Sequence, residues 1–381
     1  TGTRAALIGG TTTVVDFATQ DRGDTLAHAL KAWHAKAYGR CSCNYAFHMA
    51  ITDWNERTRS EIEEMFRAGI SSFKLYLAYD ALRVSDESVF DILTLMKRLG
   101  GVVGVHCENG DLVNAGVKRE KAAGRLSPAS HPASRPTVVE AEAIRRLLAI
   151  ARLADCAVNI VHLSSAAGLE EVRRARADGQ RVFVETCPQY LLLTDERYQE
   201  PDFAGAKYVC SPPLRAARDR AALTRAMLGG EIDTIATDHC SYTLAQKAIG
   251  KNDFSRIPNG LPGVEHRPEA FYAAFVDTGL LSAAQMCRLL AINPSRQFGM
   301  YPKKGVLCPG SDADIVLWDC AARGSIRASD QLQNTDYTPY EGMKLAGRPR
   351  HVLLNGEVAV RDGGIVLENA GRYVARNPVE V

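Results

Sequence analysis

Short apolar runs rich in β-branched residues alternate along this chain with longer stretches whose apolar residues recur at helical spacing. The pattern predicts seven strands, at residues 11–18, 44–51, 71–78, 101–106, 157–164, 181–187 and 233–239. Between them it predicts helices that include residues 60–69, 87–100, 138–155 and 168–179. Apolar strands that alternate with helices are typical of a parallel sheet covered by helices.

The number of predicted strands bears on the architecture. A closed barrel of eight strand–helix units takes typically about 250 residues. The first helix-like stretch, TRAALIGG, has no strand in front of it. We therefore expect an α/β fold of the (β/α)8, TIM-like type that lacks its first strand, so that the seven are strands 2 to 8. An open doubly wound sheet is the alternative, but neither G-x-G-x-x-G nor G-x-x-x-x-G-K-[ST] follows the first strand, which weighs against it.

The pattern changes after residue 300. Residues 305–319 and 348–364 read as short strands joined by turns rich in Pro, Gly and Asp, which indicates a small β-domain. We expect residues 1–300 to form the barrel and residues 301–381 to form part of a β-sandwich with a C-terminal tail. The chain opens without an initiator methionine, and we expect the rest of the sandwich and the first barrel strand to lie upstream.

Composition narrows the class of partner. The chain is 46% hydrophobic and 24% charged, with a net charge of +2, as is typical of globular proteins. It has no long cluster of Lys and Arg, which argues against nucleic acid and anionic membranes as partners. The ten cysteines are spread along the sequence, several inside predicted strands. That usage favours reduced thiols and a cytoplasmic location over a disulfide framework.

Four ionisable residues occupy late or inward positions of four predicted strands: Lys74, His106, His162 and Asp238. In a parallel barrel, the carboxyl ends of the strands line one mouth, and polar residues there read as catalytic. Two histidines and an aspartate are a suitable ligand set for a divalent ion such as Zn²⁺. The four residues together predict a metal site at this mouth.

Lys74 lies within the apolar run SSFKLYLAY, where an unpaired ammonium is costly to bury. Desolvation lowers the pKa of a lysine, and its neutral amine can then react with CO₂ to give a carbamate, an anionic ligand able to bridge two cations. Taken singly, the four residues have structural alternatives, namely a salt-bridged lysine, hydrogen-bonded histidines and an aspartate at a helix N-cap. Their shared position at strand ends favours the functional interpretation.

At these residues the chain resembles the cyclic-amide hydrolases of the amidohydrolase superfamily, the dihydropyrimidinases and bacterial D-hydantoinases. The resemblance extends from Thr1 to about residue 370 and is carried by FKLYLAY, VHCENGDLV, NIVHLSS, ETCPQYLLLTDE, CSPPLR, ATDHCSYT, NGLPGVEHR and NPSRQFGMYPKKGVLCPGSDADIVLWD. It implies two divalent metal ions, usually zinc, bridged by a carboxylated lysine and a hydroxide. It also implies a small cyclic ureide or imide as substrate and a homo-oligomer, either tetramer or dimer.

The resemblance assigns a metal role to each of the four residues. Lys74 matches the bridging, carboxylated lysine. His106 and His162 match the ligands of the more exposed metal. Asp238 matches a ligand of the other metal that also serves as general base, taking the hydroxide proton and delivering it to the leaving nitrogen.

The resemblance also indicates how the ring would be held. Tyr79 matches a tyrosine that hydrogen-bonds the substrate carbonyl and helps to stabilise the oxyanion. Ser211 and Asn259 match positions whose backbone groups hold the cyclic imide or ureide. The implied activity is hydrolysis of dihydropyrimidines or 5-substituted hydantoins to N-carbamoyl amino acids.

One feature departs from the family. Its members carry a His-x-His pair at the end of the first strand, and none of the nine histidines here are spaced in that way. We expect the second metal to keep only Asp238 and the carbamate of Lys74, and the chain as given to hydrolyse its substrate weakly or not at all. An allantoinase-like ureide hydrolase, a dihydroorotase and a non-catalytic scaffold relative remain alternatives.

Overall fold

Seven parallel strands follow one another along the chain and lie side by side in the same order. The computed structural model describes residues 1–379. The strands are β1 (Thr13–Thr19), β2 (Asn44–Ala50), β3 (Ser72–Tyr76), β4 (Val102–His106), β5 (Val158–Ile160), β6 (Val182–Thr186) and β7 (Thr234–Ile235). Each coincides with a predicted strand, although β5 and β7 are much shorter than predicted.

Helices connect these strands and cover the outside of the sheet. They are α1 (Gly2–Ile8), α2 (Leu26–Ala37), α3 (Glu56–Arg67), α4 (Asp86–Leu99), α5 (Gly110–Ala122), α6 (Ser130–Ser134), α7 (Thr137–Leu153), α8 (Ala166–Ala177), α9 (Pro188–Leu192), α10 (Ala217–Leu228), α11 (Leu244–Lys247), α12 (Arg267–Phe271), α13 (Ala283–Cys287) and α14 (Asn293–Gln297). Several short 3₁₀ and π-helical turns lie between them.

Local sequence explains where the longer helices begin and end. At the start of α4, the Ser85 side chain accepts a hydrogen bond from the backbone N–H of Ser88, which satisfies one donor that the first turn leaves free. The helix ends at Gly100, whose φ of 73° is a left-handed conformation that glycine adopts at little cost. The buried face of α4 packs on the sheet through Val89, Ile92 and Leu93.

The prediction of a parallel, TIM-like arrangement is confirmed. The sheet is a curled half-barrel, and the order β1 to β7 without crossovers is the order that a barrel of strand–helix units has. Within residues 1–379, β1 and β7 do not pair with each other. The carboxyl ends of all seven strands meet at one edge, which is where the predicted site lies.

The C-terminal region forms an antiparallel sheet, as predicted. Four strands lie in the order β13 (Gly364–Ile365), β12 (Glu357–Arg361), β11 (Arg348–Leu354) and β8 (Ile315–Asp319), and β9 (Gly324–Ser325) pairs with β10 (Lys344–Leu345). The boundary at residue 300 between barrel and β-domain stays a prediction.

The last described residues run back across the barrel. Val374 donates a backbone hydrogen bond to the carbonyl of Tyr45 (2.8 Å), and Arg376 donates one to that of Gly69 (2.9 Å). Gly69 lies just before β3, so the tail crosses the amino ends of the strands, opposite the predicted site. No helix within residues 1–379 is long and apolar enough to cross a membrane.

Candidate active site

Three of the four predicted metal residues lie at or just beyond the carboxyl ends of their strands, and the fourth lies within its strand. Lys74 is in the middle of β3, and His106 is the last residue of β4. His162 follows β5 by two residues, and Asp238 follows β7 by three. Because the strands are parallel, these side chains converge at one mouth of the half-barrel.

His106 and His162 are in direct contact. The Nδ1 atom of His106 lies 3.0 Å from Nε2 of His162, and Nε2 of His106 lies 3.0 Å from Oε2 of Glu108. A carboxylate only accepts, so Nε2 of His106 carries the hydrogen and Nδ1 presents its lone pair to His162. Burial, the largest cause, lowers the pKa of His106 and takes the pKa of His162 well below its ordinary value, so both rings are neutral.

Lys74 is buried with an exposed fraction of 3%. Its amine lies 5.5 Å from the centre of the Phe17 ring and 5.2 Å from that of Tyr76. Burial lowers the pKa of the amine to about 8, against the opposing effect of Asp238 and Glu185. A substantial fraction of the amine is therefore neutral near physiological pH, as carbamate formation requires.

Two carboxylates face Lys74 from the last strands of the sheet. Burial raises the pKa of Asp238, while Lys74 and then His106 act in the opposite direction. Burial also raises the pKa of Glu185, in β6, to about 7, again opposed by Lys74. Carboxyl groups with raised pKa values are suited to proton transfer near neutral pH.

The backbone is left-handed at three of the predicted site residues. The φ angles are 68° at Tyr79, 41° at His162 and 48° at Asp238. This region is sparsely populated by residues with a side chain, and such conformations cluster at functional sites, where the surrounding structure holds them in place. The strained backbone therefore supports a functional role for this mouth.

Tyr79 lies beside His106, and Ser211 is linked to His106 through Arg135 and Glu108. The ring centres of Tyr79 and His106 are 5.1 Å apart. Burial raises the pKa of the Tyr79 hydroxyl, although Arg135 acts in the opposite direction, so Tyr79 is neutral and can donate a hydrogen bond. Ser211 is 9% exposed and accepts a hydrogen bond from Arg135 through its Oγ.

Asn259 lies on a loop that the Lys247 side chain fixes. The amine of Lys247 donates to the carbonyls of Val209 (2.7 Å), Pro258 (2.7 Å) and Gly260 (2.8 Å). It thereby joins the loop of Asn259 to the segment that precedes Ser211. The Oδ1 atom of Asn259 is buried without a hydrogen-bond partner, and such an atom is a candidate for binding a ligand.

The loop of Asn259 requires a glycine at residue 260. Gly260 has a φ of 150°, and a Cβ there would lie 2.3 Å from the Cys240 carbonyl oxygen. A larger residue would push this loop away from the segment that follows β7. The position of Asn259 therefore depends on close backbone packing.

Four residues that sequence reasoning did not single out belong to this region: Glu108, Arg135, Glu185 and Lys247. Burial alone would raise the pKa of Glu108, but Arg135 and the hydrogen bond with His106 hold it at about 2. The sequence could have pointed to two of them. Glu108 follows a strand-ending histidine by two residues, and Glu185 is a charged residue inside an apolar strand. Arg135 and Lys247 had no such signal, because they come from stretches with no strand pattern.

Part of the site is suited to holding a metal ion. Within residues 1–379, no three His, Cys, Asp or Glu side chains are close enough to form a metal site by themselves. The histidine pair nevertheless fits two ligand positions, since both rings are neutral and Nδ1 of His106 faces Nε2 of His162 at 3.0 Å, while the unpartnered Nδ1 of His162 can carry that ring's hydrogen. Lys74 can add an oxygen ligand only after carboxylation.

Comparisons with known proteins show which family this chain is similar to. The model of the amidohydrolase family matches residues 1–359. A D-hydantoinase of Streptomyces coelicolor is 43% identical over 366 residues, which are 95% of this chain and 78% of the relative.

Solved structures are equally similar. One D-hydantoinase structure has a TM-score of 0.97 and is 42% identical in sequence. The match covers 99% of this chain and 83% of the D-hydantoinase chain. The dihydropyrimidinase from Brevibacillus agri also has a TM-score of 0.97, with 39% identity over 99% of this chain and 83% of its own. On the extent of these matches and the residues at the barrel mouth, the chain belongs to the amidohydrolase family.

Proposed function

We propose that this chain hydrolyses the cyclic amide bond of dihydropyrimidines or 5-substituted hydantoins to give N-carbamoyl amino acids. The observation that carries the proposal is the pair of neutral imidazoles, His106 and His162, beside the buried amine of Lys74. The names of the similar proteins, D-hydantoinase and dihydropyrimidinase, support this choice of substrate.

Members of the amidohydrolase family generally bind divalent metals. In this chain His106, His162 and carboxylated Lys74 would hold one ion, and Asp238 with the same carbamate would contact a second. To form the carbamate, the lysine nitrogen adds to the carbon of CO₂ and loses one N–H proton. When bound, the ions, most simply zinc, activate water and polarise the amide carbonyl.

The protein's own groups account for the proton transfers. Asp238 takes a proton from the attacking water and delivers it to the ring nitrogen as the C–N bond breaks. Burial raises the pKa of Asp238, which makes its carboxylate a stronger proton acceptor than that of an exposed aspartate. The water oxygen stays on the carbonyl carbon, which becomes the carboxylate of the product.

The remaining predicted residues orient the ring. The neutral hydroxyl of Tyr79 donates a hydrogen bond to the carbonyl oxygen, where negative charge develops. Backbone C=O and N–H groups of Ser211 and Asn259 form hydrogen bonds with the N–H and C=O groups of the ring. Because Lys247 holds both segments, their spacing is fixed before the ring binds.

A substrate panel tests the proposal. The zinc-loaded chain is incubated at high protein concentration with dihydrouracil, 5-phenylhydantoin, allantoin and dihydroorotate, and ring opening is followed by absorbance. We expect opening of dihydrouracil and 5-phenylhydantoin alone, and Asp238→Asn should slow it strongly. Faster opening of allantoin or dihydroorotate would assign the substrate differently, and a chain that binds no zinc and opens no ring would be a non-catalytic scaffold.

Two further predictions concern the zinc-loaded chain. We expect weak turnover, because the chain offers few ligands for the second ion; fast turnover would show that expectation to be wrong. We also expect a homo-oligomer, tetramer or dimer, which sedimentation of the zinc-loaded chain measures directly.

A further inference from the structure

A continuous row of buried polar side chains connects the histidine pair to the predicted ring-binding segment. It consists of His106, Glu108, Arg135 and Ser211, and is called here the His106–Ser211 network. Their exposed fractions are 2%, 0%, 5% and 9%. Glu108 Oε2 lies 3.0 Å from Nε2 of His106 and accepts a hydrogen bond of 3.2 Å from Nη1 of Arg135. The same Nη1 donates to the Ser211 hydroxyl.

Stability does not account for this network. Burying a carboxylate and a guanidinium costs several kcal/mol per ion, and replacing such a pair by apolar residues is often neutral or stabilising. The pair is also incompletely satisfied, because Oε1 of Glu108 and Nε of Arg135 are buried without partners. A costly, half-satisfied ion pair is better explained by the orientation it imposes on its neighbours.

Glu108 determines which nitrogen of His106 is available. Its carboxylate accepts the hydrogen of Nε2, so the lone pair must lie on Nδ1, the atom that faces His162. Without that acceptor the ring could place its hydrogen on Nδ1 or turn about its side-chain bonds. Carboxylates that hold a ligating histidine in this way typically contribute about 10- to 100-fold to metal affinity.

Arg135 links this orientation to the ring-binding segment. A single guanidinium nitrogen donates to both Glu108 and Ser211. A shift of the serine therefore alters the hydrogen bond between Arg135 and the Glu108 carboxylate. Arg135 is itself fixed, since Nη1 of Arg215 donates to its carbonyl at 2.6 Å. A ring that orders Ser211 would therefore also order His106.

We propose that Glu108 and Arg135 are positioning residues, Glu108 for the metal-binding lone pair of His106 and Arg135 for the coupling of metal binding to ring binding. The identity of the ring in this inference rests on the proposed function, whereas the role of Glu108 in metal binding does not. Coupling between two ligands is reciprocal. Bound 5-phenylhydantoin should therefore raise the affinity for zinc, and zinc should raise the affinity for 5-phenylhydantoin by the same factor.

Three single variants separate the parts of the network. The dissociation constant for zinc is measured by competition with a chromophoric chelator, with and without 5-phenylhydantoin. We expect Glu108→Gln to weaken zinc binding about 10- to 100-fold. Arg135→Lys should weaken it by a smaller factor and abolish the effect of the ring. Ser211→Ala, which keeps the backbone groups, should weaken zinc binding by less than Glu108→Gln does and should also abolish the ring's effect.

Arg376→Lys is the matched control. Arg376 is 2% exposed, and it too donates to a serine hydroxyl, that of Ser72, at the opposite end of the barrel. This variant should lose folding stability without any change in zinc affinity. If Glu108→Gln and Arg135→Lys behave in the same way, with zinc dissociation constants within twofold of the parent, the network is structural and the inference is wrong.

A double variant covers the case in which a single variant fails to fold. Glu108→Gln with Arg135→Met removes both charges, so no buried charge is left unpaired. It should fold and bind zinc as weakly as Glu108→Gln; parental zinc affinity would overturn the inference. The zinc dissociation constant without the ring does not depend on turnover, so a chain that opens no ring would count against the proposed function and not against the role of Glu108.

Discussion

The imidazole of His106 faces that of His162 across the ends of two adjacent strands, with 3.0 Å between Nδ1 of the first and Nε2 of the second. The ring planes are inclined at 69°. Glu108 accepts a hydrogen bond from the other nitrogen of His106, Nε2. Nδ1 of His106 and Nε2 of His162 therefore remain as the two nitrogen atoms that face the same small volume. The predictions about metal binding follow from this contact.

His162→Ala should remove most of the metal affinity. The variant loses one of two neutral nitrogen donors, and the loss should exceed the roughly 100-fold that a supporting residue can cost. Zinc content per chain after dialysis measures the effect. His28→Ala, which changes an exposed histidine in α2, should keep the parental zinc content; equal loss in both variants would contradict the assignment of His162.

Lys74 should respond to CO₂ in a pH-dependent way. With a pKa of about 8 in the folded protein, the neutral fraction of the amine grows as pH rises through 8. At constant dissolved CO₂, carboxylation of the metal-free chain should therefore be faster at pH 8 than at pH 6. Carbon-13 NMR with labelled CO₂ detects the carbamate.

Lys74→Arg is the control for this signal. A guanidinium stays protonated at these pH values and forms no carbamate, so the variant should show no carbamate signal and no ring opening. A carbamate signal of parental strength in Lys74→Arg would mean that another amine is carboxylated.

Asp238→Asn should lower kcat by about 10²- to 10⁴-fold, the range of a general base, while KM changes by only a few-fold. An amide cannot carry the proton from water to the leaving nitrogen. Asp21→Asn, an exposed carboxylate before α2, should retain parental kcat. A change confined to KM would indicate that Asp238 binds the ring and does not transfer protons.

Stability should fall in acid partly through His131. Its Nε2 donates to the Cys210 carbonyl at 2.7 Å, and burial, followed by Arg135, lowers its pKa to about 3. Below the ordinary pKa of about 6.5 the unfolded chain binds a proton that the folded chain does not. This contribution to stability is therefore lost progressively as pH falls from 6.5 toward 3.

His131→Gln removes the titrating group and keeps a donor for the Cys210 carbonyl. Urea unfolding at pH 7, 6 and 5 should show the advantage of the parent over the variant shrinking by about 2 kcal/mol between pH 7 and pH 5, at 1.36 kcal/mol for each pKa unit. A difference that is constant over this range would show that His131 binds protons alike in the folded and unfolded chains, and that its pKa is not lowered by folding.

Lys247→Met should loosen the loop that carries Asn259. Three carbonyls would lose their donor, at about 1–3 kcal/mol for each buried acceptor left unsatisfied, offset in part by removal of a buried charge. We expect lower stability and a rise in KM of about tenfold with a smaller change in kcat. Lys251→Met, an exposed lysine nearby, should change neither quantity.

Much of this molecule follows from local patterning. Strands that are apolar throughout can only be buried on both faces, so the run that contains Lys74 had to become an interior strand. Parallel strands place their carboxyl ends at one edge of the sheet, so His106, His162 and Asp238 necessarily lie near one another at that edge. The antiparallel sheet near the C-terminus was equally visible, because turn residues separate its short strands.

The sequence by itself determined the order of the strands and the chemistry offered at their ends, since both depend on side-chain periods of a few residues. Only the tertiary structure decided how those groups are held. Arg135 reaches Ser211 across 76 residues and Glu108 across 27, and no local period links positions so far apart. The left-handed backbone at Tyr79 is likewise set by packing, because an isolated tyrosine avoids that conformation.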